Sequence, residues 1–186
     1  MLDKINLEEI DQVAQTARLL YDQNQVNTAL DRMACAINER LADANPLVLC
    51  VINGGIIVAG QLLPRLSFPL MLDSLHASRY RGSTTGQDIH WLFQPTTPLQ
   101  DRNLLIVDDI LDEGHTLKAI VDWCKAQGAA SVYTAVLLDK MLEHAKPIAA
   151  DFVGLPVENH YLFGYGMDYK NYLRNAAGIY ACKETS

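Results

Sequence analysis

Leu104-Leu105-Ile106-Val107-Asp108-Asp109-Ile110-Leu111-Asp112-Glu113-Gly114-His115-Thr116-Leu117 sets an apolar run against four acids packed into six positions. A glycine and a threonine follow at once. From Thr116 to Gln127, Ile120, Val121 and Cys124 then recur on one helical face, with Gly128 as the stop. This layout predicts a buried strand, an anionic turn and the N-terminus of a helix. Backbone N–H groups at such a helix start, with the Thr116 hydroxyl, can grip a phosphate. Gly114 allows the backbone a close approach. Asp108 and Asp109 can accept hydrogen bonds from sugar hydroxyls, directly or through a metal. Asp112 is left to move a proton or to cap the helix. His115 reads as an exposed helix-start residue.

Working outward, Leu47 to Ile52 is a dense apolar run of strand length, and Asn53-Gly54-Gly55 follows it. Gly55 to Leu63 is expected to be helical. Pro69 to Leu75 reads as a strand, Ser78 to Gln87 as a polar loop, and Asp88 to Phe93 as the strand returning from it. Asn103 to Val107 feeds the acidic turn, and Ser131 to Leu138 is a β-branched and aromatic strand ending at Asp139-Lys140. Near the start, Leu7, Ile10, Val13, Ala14, Ala17 and Leu20 recur at helical spacing. Asn6 and Glu9 there resemble a capping box. A second helix is expected over Val26 to Ala42, and short strands and turns over Asp151 to Cys182.

Strand–helix alternation of this kind implies an α/β fold with a mostly parallel central sheet flanked by helices. Ligands of such sheets bind at the carboxyl ends of the strands. Asn53-Gly54-Gly55, Asp108 to Thr116 and Asp139-Lys140 all fall at such ends, so three polar features converge on one edge.

Composition narrows the function classes. The chain has 186 residues, 49% of them hydrophobic, which suits one compact domain over 1–186. A net charge of -7 and a pI near 5.1 argue against a general binder of nucleic acid or membrane surfaces. Cys35, Cys50, Cys124 and Cys182 lack metal-ligand spacing, and the first three have the apolar neighbours of buried cysteines. Met1 to Ile10 does not read as a signal peptide, so a cytoplasmic location is expected. The uncharged stretch Pro46 to Pro64 is long enough to span a bilayer. Its Asn53-Gly54-Gly55 interruption favours a strand, a turn and a buried helix instead.

Val107-Asp108-Asp109-Ile110-Leu111-Asp112-Glu113-Gly114-His115-Thr116 resembles the phosphoribosyl-pyrophosphate motif of type I phosphoribosyltransferases. Other segments resemble the hypoxanthine-guanine group of that family. They are Ile52 to Gly55, Leu138-Asp139-Lys140, Asp151 to Gly154, Tyr161 to Tyr169, and Arg174. The resemblance implies transfer of the phosphoribosyl group to a 6-oxopurine, assisted by Mg²⁺, with pyrophosphate released. It implies a small hood over the sheet from about 1–25 and 151–186. It implies that Asp112 is the general base or the acceptor of the purine N7 proton. Glu113, Gly114, His115 and Thr116 would cradle the 5′-phosphate, and Asp108 and Asp109 the ribose. Asn53, Gly54, Gly55 and Arg174 would hold pyrophosphate, with a cis peptide between Ile52 and Asn53. Lys140 would donate to the purine O6, Tyr161 and Ile110 would enclose the base, and Leu162 would meet its edge through backbone atoms. Asp168, with Asp108 and Asp109, would hold the metal. Ser78-Arg79-Tyr80 would form a closing loop, and the partner would be further copies of the chain, as a homodimer or homotetramer. Three departures stand out: Asn53 and His115 where the family often has lysine, and Arg79 inserted between serine and tyrosine.

Two other classes fit parts of the sequence. Asp108-Asp109-Ile110-Leu111-Asp112 matches the DDxxD pattern of prenyl-diphosphate synthases, which carry it on a helix in a larger all-helical chain. Some proteins of phosphoribosyltransferase type bind RNA as regulators, which needs a basic face that this composition argues against.

Overall fold

The computed structural model describes residues 6–79 and 89–183. Five parallel strands carry the fold: β2 (Leu47–Val51), β3 (Met71–Arg79), β5 (Asn103–Leu111), β6 (Ser131–Lys140) and β7 (Phe152–Val157). With β4 (Ile89–Phe93), which runs antiparallel to β3, they form a sheet of order β4-β3-β2-β5-β6-β7. Its central strands are apolar along their length because both faces are covered. Val48, Cys50, Leu105 and Val107 face α2 (Gln23–Leu41) and α3 (Gly55–Leu62). Leu47, Leu49, Leu104 and Ile106 alternate to the other face, against α4 (His115–Ala126). Trp91 of β4 packs on Trp123 of α4 with ring centroids 4.6 Å apart, which ties the β3–β4 excursion back to the body.

A second, antiparallel sheet joins the two ends of the chain in the order β1-β9-β8, from β1 (Arg18–Asp22), β8 (Leu162–Phe163) and β9 (Gly178–Ala181). Ile179 and Ala181 share one core with Val26 and Leu30 of α2, so the small sheet is packed onto the same side as that helix. α1 (Leu7–Thr16) precedes it. No helix among the described residues is long and apolar enough to cross a membrane, and Pro46 to Pro64 forms a strand, a turn and a helix that buries one face while Ile56, Gly60 and Gln61 stay exposed.

Several local expectations are corrected. β5 does not stop at Val107 but continues to Leu111, because Asp108, Ile110 and Leu111 stay in register with Val136, Leu138 and Asp139 of β6. The acids therefore begin inside a strand, and only Asp112 to Gly114 form the turn. Leu20, at helical spacing from Leu7 to Ala17, lies instead in β1, whose pairing with β9 decides its conformation. α2 starts at Gln23, three residues earlier than expected. Asp22 and Gln25 form a reciprocal capping box, with both bonds at 2.9 Å. Asn6 caps α1 through the Glu8 N–H alone, while the Glu9 side chain is engaged elsewhere. Cys35 is exposed, because it lies on the outer face of α2. β7 belongs to the main sheet, so Phe152 to Val157 is not part of the small sheet formed by β1, β9 and β8.

The Asp22 box joins β1 to α2 at the point where the sheet of the chain ends meets the body. Asp22→Ala is expected to lower unfolding free energy by about 1 kcal/mol, measured by chemical denaturation. An unchanged midpoint would show that the box does not hold this junction.

Candidate active site

Two adjoining cavities open at the carboxyl ends of the central strands. The first has a volume of about 330 Å³ and is lined by Asp108 to Leu117, with Val51, Ile52, Gly54, Ala77 and Arg174. The second, about 200 Å³, is lined by Asp109, Ile110, Asp112, Lys140, Tyr161, Leu162, Met167 and Asp168. Asp109, Ile110 and Asp112 belong to both. The structure thus gathers most of the residues singled out from sequence around one double chamber.

The first chamber is built for an anion at one end. Gly114 has φ +81°, a left-handed conformation that favours glycine, and it precedes α4 with no side-chain cap. The N–H groups of the first turn of α4 accordingly have no acceptor inside the helix. Thr116 is half-buried beside them, and His115 is exposed. Asp112 does not cap the helix; its carboxylate lies 3.0 Å from Lys140 Nζ. Glu113 meets His144 at 3.0 Å on the rim.

At the other end the chain closes tightly. The Ile52–Asn53 peptide is cis. A Cβ on Gly54 would stand 2.2 Å from the Asp109 carboxylate, and one on Gly55 2.7 Å from the Val107 carbonyl. Gly54 lines the first chamber, Gly55 is buried behind it, and Asn53 is exposed outside it. Gly166, with φ +108°, packs its Cα against the Gly54 carbonyl, where a Cβ would lie 2.0 Å away. Arg174 donates to the Gly166 carbonyl at 2.5 Å and pairs with Asp168 at 2.5 Å. Asp168 also accepts from the Asn171 N–H at 2.7 Å. The two residues expected to hold metal and pyrophosphate therefore face each other.

Around the second chamber Lys140 is buried, 9% exposed, with its ammonium turned to Asp112. Leu162 is buried and Ile110 half-buried. Tyr161 is 57% exposed, a large ring open to a planar ligand. Its edge contact with Tyr169 has centroids 5.6 Å apart. The Glu9 carboxylate accepts from Tyr169 Oη and from Lys170 Nζ, both at 2.7 Å, so α1 braces this corner. Of the expected closing loop, Ser78 and Arg79 end β3, with backbone partners His90 and Ile89, and Tyr80 lies outside the described residues. Ala77, the residue before them, lines the first chamber.

Two adjacent carboxyl groups at the end of β5 dominate the electrostatics of the site. Burial raises the pKa of Asp108, and the Asp109 charge beside it raises it further. Burial likewise lifts Asp109, although bonds from Asp108 and the Ile110 N–H and the Arg174 charge pull it back. Cys50, behind them in β2, is pushed up to about 11 by burial and by both aspartates, which leaves an inert thiol. The donors of Asp108, Asp109 and Asp168 are all carboxylate oxygens, the hard set that suits Mg²⁺. Among the described residues no group of three metal-binding side chains is preassembled.

Some contributors were not named from sequence. Gly166 lay inside a quoted motif, but its role appears only as a close approach to Gly54. Glu9 was read as a cap, and His144 belongs to a loop without a motif. The DDxxD reading fails on geometry, since Asp108 and Asp109 lie on a strand rather than a helix.

The comparisons with known proteins agree. A model of the phosphoribosyl transferase domain family matches residues 18–170. The hypoxanthine-guanine-xanthine phosphoribosyltransferase of Tritrichomonas foetus is 31% identical over 169 residues, 90% of this chain and 92% of that one. The hypoxanthine-guanine phosphoribosyltransferase of Streptococcus pneumoniae is 30% identical over 168 residues, 90% and 93% of the two chains. A solved hypoxanthine-guanine-xanthine phosphoribosyltransferase superposes with a TM-score of 0.81 at 30% identity, over 90% of this chain and 97% of that one. A hypoxanthine phosphoribosyltransferase of Staphylococcus aureus, at 21% identity, shares the fold with a TM-score of 0.85 over 97% of each chain. The chain belongs to the phosphoribosyltransferase family, among its hypoxanthine-guanine-like members.

The buried aspartates predict a specific pH dependence. A carboxyl group whose folded pKa is raised destabilises the fold above that pKa, and the penalty vanishes below its unfolded value near 3.9. Asp108→Asn is therefore expected to raise the melting temperature of the ligand-free protein at pH 7, by about 2–4 °C per kcal/mol relieved. The gain should shrink as the pH falls toward 4. A variant that melts lower at pH 7, or a gain that persists in acid, would contradict the assignment.

Proposed function

We propose that this chain transfers the phosphoribosyl group of phosphoribosyl pyrophosphate to a 6-oxopurine, with release of pyrophosphate. The observation that carries the reading is the double chamber, whose shared wall contains Asp109, Ile110 and Asp112. One side offers helix-end N–H groups, the Thr116 hydroxyl and glycine backbone to a polyanion. The other offers an exposed aromatic ring and a buried ammonium to a flat polar base.

In this reading the 5′-phosphate rests on Glu113, Gly114, His115 and Thr116, chiefly through backbone N–H groups. Asp108 and Asp109 accept the ribose hydroxyls. Gly54, Gly55 and Asn53 present amides to pyrophosphate, and Arg174 adds its charge. Tyr161 and Ile110 enclose the purine, Leu162 meets its edge, and Lys140 donates to O6. As N9 bonds to the anomeric carbon and the bond to pyrophosphate breaks, Asp112 receives the N7 proton. Lys140, now paired with Asp112, turns to O6 when a base arrives. Mg²⁺, held by Asp168, Asp108 and Asp109 through oxygen, would supply positive charge to the sugar and its phosphates. The sheet of the chain ends serves as a hood within one domain of 1–186. A cytoplasmic homodimer or homotetramer completes the reading, and the exposed Ile56, Met71, Leu72, Leu92 and Phe93 offer apolar surface for such contacts.

The test is nucleotide formation with Mg²⁺, phosphoribosyl pyrophosphate and each of hypoxanthine, guanine and xanthine in turn. Turnover with at least one is expected; none with all three overturns the reading. Asp112→Ala should cut kcat by about 10²–10⁴-fold while the sugar still binds. A nearly unchanged kcat would remove Asp112 from its role.

A further inference from the structure

Lys146 lies in the loop between β6 and β7, outside every motif that marks the site. Its ammonium donates to the Leu111 carbonyl at 2.7 Å and to the Asp139 carboxylate at 2.6 Å. Its side chain is 12% exposed, so this is not a solvated surface lysine. Leu111 and Asp139 are register partners at the ends of β5 and β6. The next residues along the two strands are Asp112 and Lys140, whose side chains meet at 3.0 Å. One buried ammonium thus joins two strand ends a single residue before the pair that faces the purine edge. Its neighbours Pro147 and Ile148 stand 3.4 Å from where a Cβ on Gly114 would be, so the same loop lies against the phosphate turn.

We propose that Lys146 is a positioning residue for the Asp112–Lys140 pair, fixing the distance and direction with which the two groups meet N7 and O6 of the base. The inference rests on the purine reading above. Beyond the last rungs of a parallel ladder each strand end is free to splay. A charge-assisted bond to a carbonyl on one strand and a carboxylate on the other removes that freedom. An ammonium with three donors can serve both at once. Without it, the Leu111 carbonyl loses its donor and Asp139 its counter-charge, and the two strand ends relax independently. A displacement of about 1 Å at reacting groups can cost on the order of 10²-fold in rate.

The experiment compares wild type, Lys146→Met, Lys140→Met and the double variant for kcat and KM, with Lys146→Arg as the conservative control. Lys146→Met is expected to lower kcat/KM for the purine roughly 10–100-fold, with little change in KM for the sugar substrate. Lys146→Arg should retain most of the activity. Lys140→Met should cost much less in the Lys146→Met background than in wild type, because Lys146 acts through Lys140. Additive losses, or a Lys146→Met variant that melts lower with unchanged kinetics, overturn the proposal. NMR of the lysine ammonium groups in the ligand-free protein reads the pair without turnover. The Lys140 signal should move in Lys146→Met and stay in Lys146→Arg, and an unmoved signal in both overturns the proposal. A wild-type chain that forms no nucleotide brings down the purine reading itself. Normal wild-type turnover with additive variants brings down the positioning role alone.

Discussion

Three segments of this chain meet around the Asp109 carboxylate only because two residues there have no side chain. Gly54 follows β2, Asp109 belongs to β5, and Gly166 comes from the C-terminal segment beyond β8. A Cβ on Gly54 would stand 2.2 Å from Asp109, and one on Gly166 2.0 Å from the Gly54 carbonyl. Arg174 then locks the third segment by bonding the Gly166 carbonyl and Asp168. The two chambers share a wall because of this contact, since Asp109 lines both. A side chain at either glycine would force these segments apart.

The same packing sets the electrostatics. Asp108 and Asp109 are drawn out of water at the end of a central strand, and burial raises both. Carboxyl groups held this way cost stability, and perturbed groups of this kind cluster at functional sites. The chamber presents Asp108, Asp109, Asp112 and Glu113 to a ligand that, in the proposed reaction, is itself strongly negative. In that reaction, amide groups at α4 and at Gly54, the Arg174 charge and a divalent cation would reconcile the two. The buried Lys140 is paired with the more exposed Asp112, so its ammonium does not lack a counter-charge.

Much of this was legible in the sequence. The central strands are continuous apolar runs, since both faces of a parallel sheet are covered, and the acids after Val107 mark where one strand reaches the open edge. What was misread came from tertiary pairing. Asp108 and Asp109 have low β-propensity and suggested a turn, yet β6 continues alongside and keeps them in the sheet. β1 is five residues long with no clean alternation, and only its partner β9 makes it a strand. Cys35 has apolar neighbours in sequence but lies on the outer face of α2. Lys146 carries no local signal, since a lysine in a loop reads as solvated until the fold brings Asp139 from 7 residues away, and Glu9 reads locally as part of a cap until Tyr169 arrives from 160 residues away.

The central claim is that a carboxylate-lined chamber receives a polyanionic sugar only when a divalent cation supplies the missing charge. Calorimetric titration of the wild-type protein with phosphoribosyl pyrophosphate, with Mg²⁺ and then with a chelator, tests it most directly. Saturable binding with Mg²⁺, lost or greatly weakened in the chelator, is expected. Equal affinity in both conditions, or no binding in either, would contradict it.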